Sequence, residues 1–120
     1  MAKSLNKVQL IGNLTRDPGL RYTEKGIAVC SFGLATNRSY TTDKGEQTET
    51  EFHRIVCFGK LAETCDQYLT KGGKVYVSGR LHTRSYPGKD GTEKTVAEIV
   101  LEDMVMLDRR EPVRIHTEEA

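Results

Sequence analysis

Apolar and polar residues alternate along most of the chain, a pattern that predicts strands with one buried face. In Ile27 to Tyr40, the residues on the face predicted to be buried are Ala28, Cys30, Phe32, Leu34 and Thr36. Five such segments are predicted: Leu5 to Leu14, Ile27 to Tyr40, Thr48 to Gly59, Lys74 to Tyr86, and Thr92 to Leu107. Turn sequences rich in Gly, Pro and Asp separate them, as is typical of an all-β chain.

One helix is predicted between the third and fourth of these strands, at Lys60 to Thr70. Its apolar residues recur at helical spacing and form one stripe: Leu61, Cys65, Tyr68 and Leu69. The sequence Lys71-Gly72-Gly73 then predicts the end of the helix. Five long strands with one helix in this place indicate a five-stranded Greek-key OB-fold barrel, whose curled strands need internal glycines.

Length and composition are those of a single globular domain, with 120 residues of which 37% are hydrophobic and 29% charged. We place the OB-fold domain at residues 1–107. Residues 108–120 lose the alternation and are highly charged, which predicts a short flexible tail. No apolar stretch approaches the roughly 20 residues that a membrane span needs, and the N-terminus lacks the apolar core of a signal peptide. We therefore expect a protein without a membrane partner.

Three cysteines, Cys30, Cys57 and Cys65, occur without a Cys-x-x-Cys pair. An odd number without metal-ligand spacing predicts neither a disulfide framework nor a zinc site. We expect reduced, structural thiols and a cytoplasmic, nucleoid-associated protein.

The net charge of +1 conceals an asymmetry along the chain. Residues 1–100 contain 15 Lys and Arg against 11 Asp and Glu, whereas residues 101–120 contain 3 against 6. The body of the chain is therefore mildly basic and its end is acidic. Proteins that bind duplex nucleic acid are usually more basic than this, so charge alone does not indicate a nucleic-acid ligand.

Several aromatic residues occur where a packed core would not place them. Phe52 and Phe58 share a predicted strand face with Arg54, and Tyr40 and Tyr86 lie in polar turn sequence. Unpaired bases stack on such side chains at about 1–3 kcal/mol per base, while Lys and Arg contact the phosphates. Stacking on these side chains could thus supply binding free energy that a duplex-binding protein obtains from many positive charges. The pattern leaves one alternative open, because phenylalanines are most often buried in a core.

Motifs of catalysis and cofactor binding are missing from the sequence. The histidines His53, His82 and His116 have no metal-ligand spacing, and no nucleophile elbow, phosphate loop or dinucleotide fingerprint occurs. We expect a non-catalytic protein that needs no metal or cofactor. Two other hypotheses stay open at this point: an accessory OB-fold module that binds mainly a protein, and a metal-dependent phosphoesterase.

A distinctive series of short blocks runs through residues 1 to about 107. It includes Ile11-Gly12-Asn13-Leu14, Thr50-Glu51-Phe52-His53-Arg54, Phe58-Gly59-Lys60-Leu61-Ala62-Glu63, Tyr68-Leu69-Thr70-Lys71-Gly72 and Val75-Tyr76-Val77-Ser78-Gly79-Arg80-Leu81. In this order the blocks resemble the bacterial single-stranded DNA-binding protein family. The resemblance implies an OB-fold, usually in a homotetramer, that binds single-stranded DNA without sequence preference in DNA replication, recombination and repair.

The same resemblance implies a set of site residues. The stacking aromatics correspond to Tyr40, Phe52, Phe58 and Tyr86. The phosphate-contacting cations correspond to Lys7, Arg21, Arg54, Lys60, Lys71 and Arg84.

Two departures from the family pattern affect what is expected. Many members carry tryptophan at several stacking sites, whereas this chain has none and offers the smaller faces of Tyr and Phe. Members also usually continue into a Gly/Pro/Gln-rich linker and an acidic tip ending in Pro-Phe that recruits replication and repair proteins. This sequence ends at Glu118-Glu119-Ala120, either shortened or naturally short, so recruitment through such a tip is not expected of it.

Overall fold

The computed structural model describes residues 3–108, in which it places six strands and one helix. The strands are β1 (Val8–Leu14), β2 (Gly19–Tyr22), β3 (Ala28–Thr42), β4 (Gly45–Phe58), β5 (Lys74–Pro87) and β6 (Glu93–Met106). The helix, α1 (Lys60–Tyr68), lies between β4 and β5. The tail predicted at residues 108–120 falls, from residue 109 onward, outside the described residues.

The strands form a single closed sheet. Their order is β1-β5-β6-β4-β3-β2, and β1 closes the barrel by pairing with β3 at Asn13 and Leu14. Neighbouring strands are antiparallel, except that β4 and β6 pair in parallel. Because the short β2 only extends the sheet beyond β3, the barrel consists of the five long strands. The predicted all-β, five-stranded OB-fold with a helix between its third and fourth strands is confirmed.

The core lies between the inner faces of the strands and α1. Its largest fully buried side chains are Phe32, Leu34, Ile55, Met104, Val75 and Val77. From the predicted stripe, Leu61, Cys65 and Leu69 are buried, whereas Tyr68 is 38% exposed. The helix ends two residues earlier than predicted, because Leu69 adopts an extended backbone while its N–H still donates to the Cys65 carbonyl.

The pairing of β5 with β6 is irregular at Gly79, where Glu102 of β6 is left without a partner in the register. A Cβ at this position would overlap the Val100 carbonyl oxygen of β6, and the β5–β6 register shifts between Ser78 and Gly79. Pairing with β1 also stops here, at Val8. The alternation of β5 groups Leu81 with the buried Val75 and Val77, but the Leu81 side chain is 49% exposed. Asn6, just before β1, donates to the Leu81 carbonyl and accepts from its N–H, so the backbone of β5 still has a neighbour here.

Two long hairpins carry the sheet past the end of the barrel. The β3–β4 hairpin is paired out to Thr42 and Gly45, so both strands extend beyond the ends predicted at Tyr40 and Thr48. Gly45 has a φ of +106°, a conformation that glycine adopts without steric cost. The β5–β6 hairpin is paired out to Pro87 and Glu93. Nearly all residues in the outer halves of both hairpins are exposed.

The three cysteines are fully buried and free, as predicted. Cys30 and Cys57 are cross-strand partners on β3 and β4. A hydrogen bond with Cys57, together with burial, raises the pKa of Cys30. The hydrogen bond with Cys30 lowers the pKa of Cys57, but a hydrogen bond with Cys65 and burial outweigh it and raise the pKa overall. Thiols held in the protonated form are poor nucleophiles, which fits a structural role.

Candidate nucleic-acid interface

A groove crosses the outer face of the sheet from β2 to β5. Its volume is about 460 Å³, within the range of about 300–1,000 Å³ typical of ligand sites. The floor is apolar and is formed by Val29, Val56 and Val100, a small buried cluster separate from the main core. The walls carry the charged side chains.

Those walls are strongly cationic. The arginines that line them are Arg21, Arg54, Arg80 and Arg84, and His82 and Phe58 lie among them. Among the described residues that line the groove, only Glu98 is acidic. An apolar floor with cationic walls suits a ligand that has flat apolar parts and anionic groups.

Glu98 forms ion pairs with two of these arginines. Its Oε1 lies 3.1 Å from Nε of Arg84 and its Oε2 lies 3.3 Å from Nε of Arg54. The Glu98 side chain is only 8% exposed, whereas the two arginines are 43% and 44% exposed. A buried carboxylate needs such partners, because an unpaired buried charge is strongly destabilising.

All four predicted stacking residues are accessible to solvent. Phe52 is 74% exposed, Phe58 50%, Tyr86 44% and Tyr40 37%. The alternative that Phe52 and Phe58 belong to the core is therefore wrong. Phe58 lines the groove, and Tyr86 borders a smaller pocket that also includes Arg54 and Arg84. Tyr40 and Phe52 lie outside the groove, on the β3–β4 hairpin.

The tripeptide Arg-Ser-Tyr occurs once in each hairpin, at residues 38–40 and 84–86. Because alternate residues of a strand share a face, each arginine lies over the tyrosine two positions on. The guanidinium carbon is 4.7 Å from the ring centre in the first pair and 5.9 Å in the second. Arg38 also pairs with Glu49 on β4, at 3.4 Å. Each hairpin thus presents an arginine and a tyrosine side by side.

The six predicted phosphate contacts fall into two groups. Arg21, Arg54 and Arg84 line the groove together. The three lysines are exposed elsewhere: Lys7 precedes β1, Lys60 is the first residue of α1, and Lys71 follows α1. Lys71 is anchored through its backbone, whose N–H donates to Asp17 at 2.8 Å. The structure therefore brings half of the predicted cations into one site.

Arg80, His82, Arg38 and Glu98 were not among the predicted site residues. Arg80 and His82 share a strand face with Arg84, so the alternation of β5 could have identified them. Arg38 could have been found from its spacing to Tyr40. Glu98 has no comparable signal, because its role depends on β6 lying between β4 and β5.

Side chains that could hold a metal ion are not brought together in the described part of the chain. Residues 3–108 contain no cluster of three His, Cys, Asp or Glu side chains placed to hold a metal ion. Within the same range, no helix has the length and apolar character needed to cross a bilayer.

Known proteins resemble this chain both in sequence and in fold. Residues 5–107 match the model of the single-strand binding protein family. A single-stranded DNA-binding protein of Neisseria meningitidis serogroup B is 51% identical over 108 residues, which cover 89% of this chain and 62% of the relative. Single-stranded DNA-binding protein 1 of Chlorobaculum tepidum is 50% identical over 113 residues, which cover 92% of this chain and 70% of the relative.

A solved structure described as the Plasmodium falciparum SSB complex with ssDNA superposes with a TM-score of 0.82 at 36% identity. The match covers 90% of this chain and 99% of that one. The chain spans 62% of the length of the Neisseria relatives that it matches. Since the family model covers most of the chain and relatives share about half of its residues, the chain belongs to the single-strand binding protein family.

Proposed function

We propose that this chain binds single-stranded DNA without sequence preference and so protects and organises it during DNA replication, recombination and repair. The observation that carries the proposal is the exposure of four aromatic side chains on a sheet that also carries an arginine-lined groove. Exposed rings give no core stability, and their faces are available to unpaired bases. The role is one of binding rather than catalysis.

Stacking also explains how a chain with a net charge of +1 can bind a polyanion. Each stacked base contributes about 1–3 kcal/mol, and any base can stack because every base has a π-face. Binding that relies on stacking is tolerant of sequence and less dependent on salt than binding driven by phosphates alone. We assign stacking to Tyr40, Phe52, Phe58 and Tyr86.

Phosphate contacts are assigned first to three of the four arginines of the groove, Arg21, Arg54 and Arg84. Their position beside Phe58 lets one nucleotide use a ring for its base and a guanidinium for its phosphate. Lys7, Lys60 and Lys71 lie outside the groove and are proposed to contact phosphates further along the strand. An OB-fold typically covers about 4–16 nucleotides, which is more than one groove holds.

We infer a homotetramer, with β1 as one of its contact surfaces. In the described residues, β1 pairs with β3 only at Asn13 and Leu14, so the rest of that strand edge is open. Ile11 on this strand is 54% exposed, and an open edge with an exposed apolar side chain favours pairing with another copy. Light scattering of the purified protein tests this inference, and a monomer at micromolar concentration would contradict it.

The proposed function also sets the expected location and partners. Single-stranded intermediates of the chromosome arise in the cytoplasm, at the nucleoid, and we place the protein there. Replication and repair proteins act on the same strands and are its expected neighbours.

The test is fluorescence anisotropy of a labelled poly-dT oligonucleotide, competed by duplex DNA and by RNA over a series of salt concentrations. An external label is needed because the chain has no tryptophan to report on base stacking. We expect tight binding to the single strand, weak binding to the duplex, and a salt slope shallower than that of a protein that binds through phosphate contacts alone. A folded protein that does not bind poly-dT at low salt would overturn the proposal and favour a protein-binding OB-fold module.

A further inference from the structure

A carboxylate inside the groove is unexpected if the groove receives phosphates. Glu98 repels a phosphate placed near it, and Coulomb's law alone predicts that removing its charge strengthens DNA binding. The surroundings of Glu98 point to a different role. It is the one buried charged side chain of the described residues, and both of its oxygens are engaged by arginines.

The order of the strands explains how Glu98 reaches both partners. β6 lies between β5, which carries Arg84, and β4, which carries Arg54. A carboxylate on the middle strand therefore draws in one guanidinium from each side. Arg84 is further restrained by Tyr86, whose ring centre is 5.9 Å from its guanidinium carbon.

We propose that Glu98 is a positioning residue that holds Arg54 and Arg84 ready to bind phosphate. This inference rests on the proposed function of single-strand binding. A free arginine loses rotamer freedom when it binds a phosphate, whereas an arginine already held in place has lost that freedom before binding. Each guanidinium has five N–H groups, and a contact through Nε leaves those of the Nη atoms for a ligand.

Glu102 provides a matched control four residues further along β6. It also pairs with an arginine of the groove, Arg80, but at 3.9 Å and with both side chains about half exposed. Exposed pairs of this kind restrain their partners little. The two glutamates therefore share a strand and a charge, but only Glu98 fixes its partners.

The experiment compares the native chain, Glu98→Gln and Glu102→Gln in the poly-dT anisotropy assay over the same salt series. Glutamine keeps the size of the side chain but has only one acceptor oxygen. We expect Glu98→Gln to bind poly-dT about tenfold more weakly, even though the substitution removes a negative charge. The plot of the logarithm of the binding constant against the logarithm of the salt concentration should also be less steep, by about 0.7 for each phosphate that the variant no longer binds. Glu102→Gln is expected to bind as tightly as the native chain or more tightly.

If Glu98→Gln binds as tightly as the native chain, or more tightly, the positioning role is wrong and the carboxylate only opposes binding. Failure of the native chain to bind would instead refute the proposed function. The two failures are therefore distinguishable in one assay. The salt slope separates positioning from partial unfolding, because loss of folded protein lowers the active fraction without changing the slope.

A second comparison covers the case in which Glu98→Gln alone is too unstable to study. Glu98→Asp, which keeps the negative charge next to both arginines but shortens the side chain by one methylene, is then measured beside the native chain. Because the shorter side chain holds the two guanidinium groups less well, it should also bind poly-dT more weakly. Binding as tight as that of the native chain would show that the position of the carboxylate does not matter and would overturn the proposal.

Discussion

The double substitution Phe52→Ala with Phe58→Ala is expected to weaken poly-dT binding by about 2–6 kcal/mol, since each stacked base contributes about 1–3 kcal/mol. Both rings lie on the β4 face that carries Arg54, and they are 74% and 50% exposed. Neither ring belongs to the main core, so the circular dichroism spectrum should be preserved and the melting temperature should change little. Anisotropy titrations at fixed salt measure the loss.

Tyr68→Ala is the control for this experiment. Tyr68 is an exposed aromatic residue on α1, outside the groove and outside the proposed stacking set. Its removal should leave poly-dT affinity unchanged. Binding by the folded double variant within twofold of the native chain would show that bases do not stack on β4.

Phe32→Ala should instead reduce stability and leave DNA binding unchanged. We expect it to lower the free energy of unfolding by about 3–5 kcal/mol. Phe32 is fully buried in β3, directly across from the buried Ile55 of β4, so truncation leaves a cavity lined by core side chains. Domains of this kind have about 5–15 kcal/mol of stability in total, so much of it would be lost. Urea unfolding followed by circular dichroism measures the change.

Under conditions where the Phe32→Ala protein is still folded, its affinity for poly-dT should match that of the native chain. The ring is fully buried and does not reach the surface that would contact a ligand. A stability loss below about 1 kcal/mol would mean that the core closes over the cavity, contrary to the close packing expected of a barrel interior. The same residue type thus supports stability on β3 and binding on β4.

Local patterns in the sequence predicted most of the fold. Alternation reports which side of a strand is buried, and it assigned Phe32 to the core and grouped Phe52 with Phe58 on the other face. It could not report how far the core extends along that side, and Leu81, which alternates with the buried Val75 and Val77, is 49% exposed. The end of α1 was also misplaced, because Leu69 keeps its side chain buried after its backbone has left the helix.

The candidate site was less accessible to sequence reasoning, because it depends on which strands are neighbours. Arg54, Arg84 and Glu98 come from three strands and meet only because β6 lies between β4 and β5. Lys71 and Arg84 carry the same charge and cannot be distinguished by it in the sequence, yet of the two only Arg84 lies in the groove. The tyrosines were easier to recognise, because polar flanking residues mark a strand segment without a buried face.

Closure of the barrel has a consequence for how the chain folds. β1 pairs with β5 along most of its length, and Val8 lies opposite Gly79. These pairs can form only after residues some 70 positions further along the chain have been synthesised. The β3–β4 hairpin needs only a short turn and can form much sooner. Pairings between distant segments require large loops to close first, which slows folding and leaves apolar strands unpaired in the meantime. The apolar side chains of β1 are therefore expected to stay unpaired longer during folding than those of the β3–β4 hairpin.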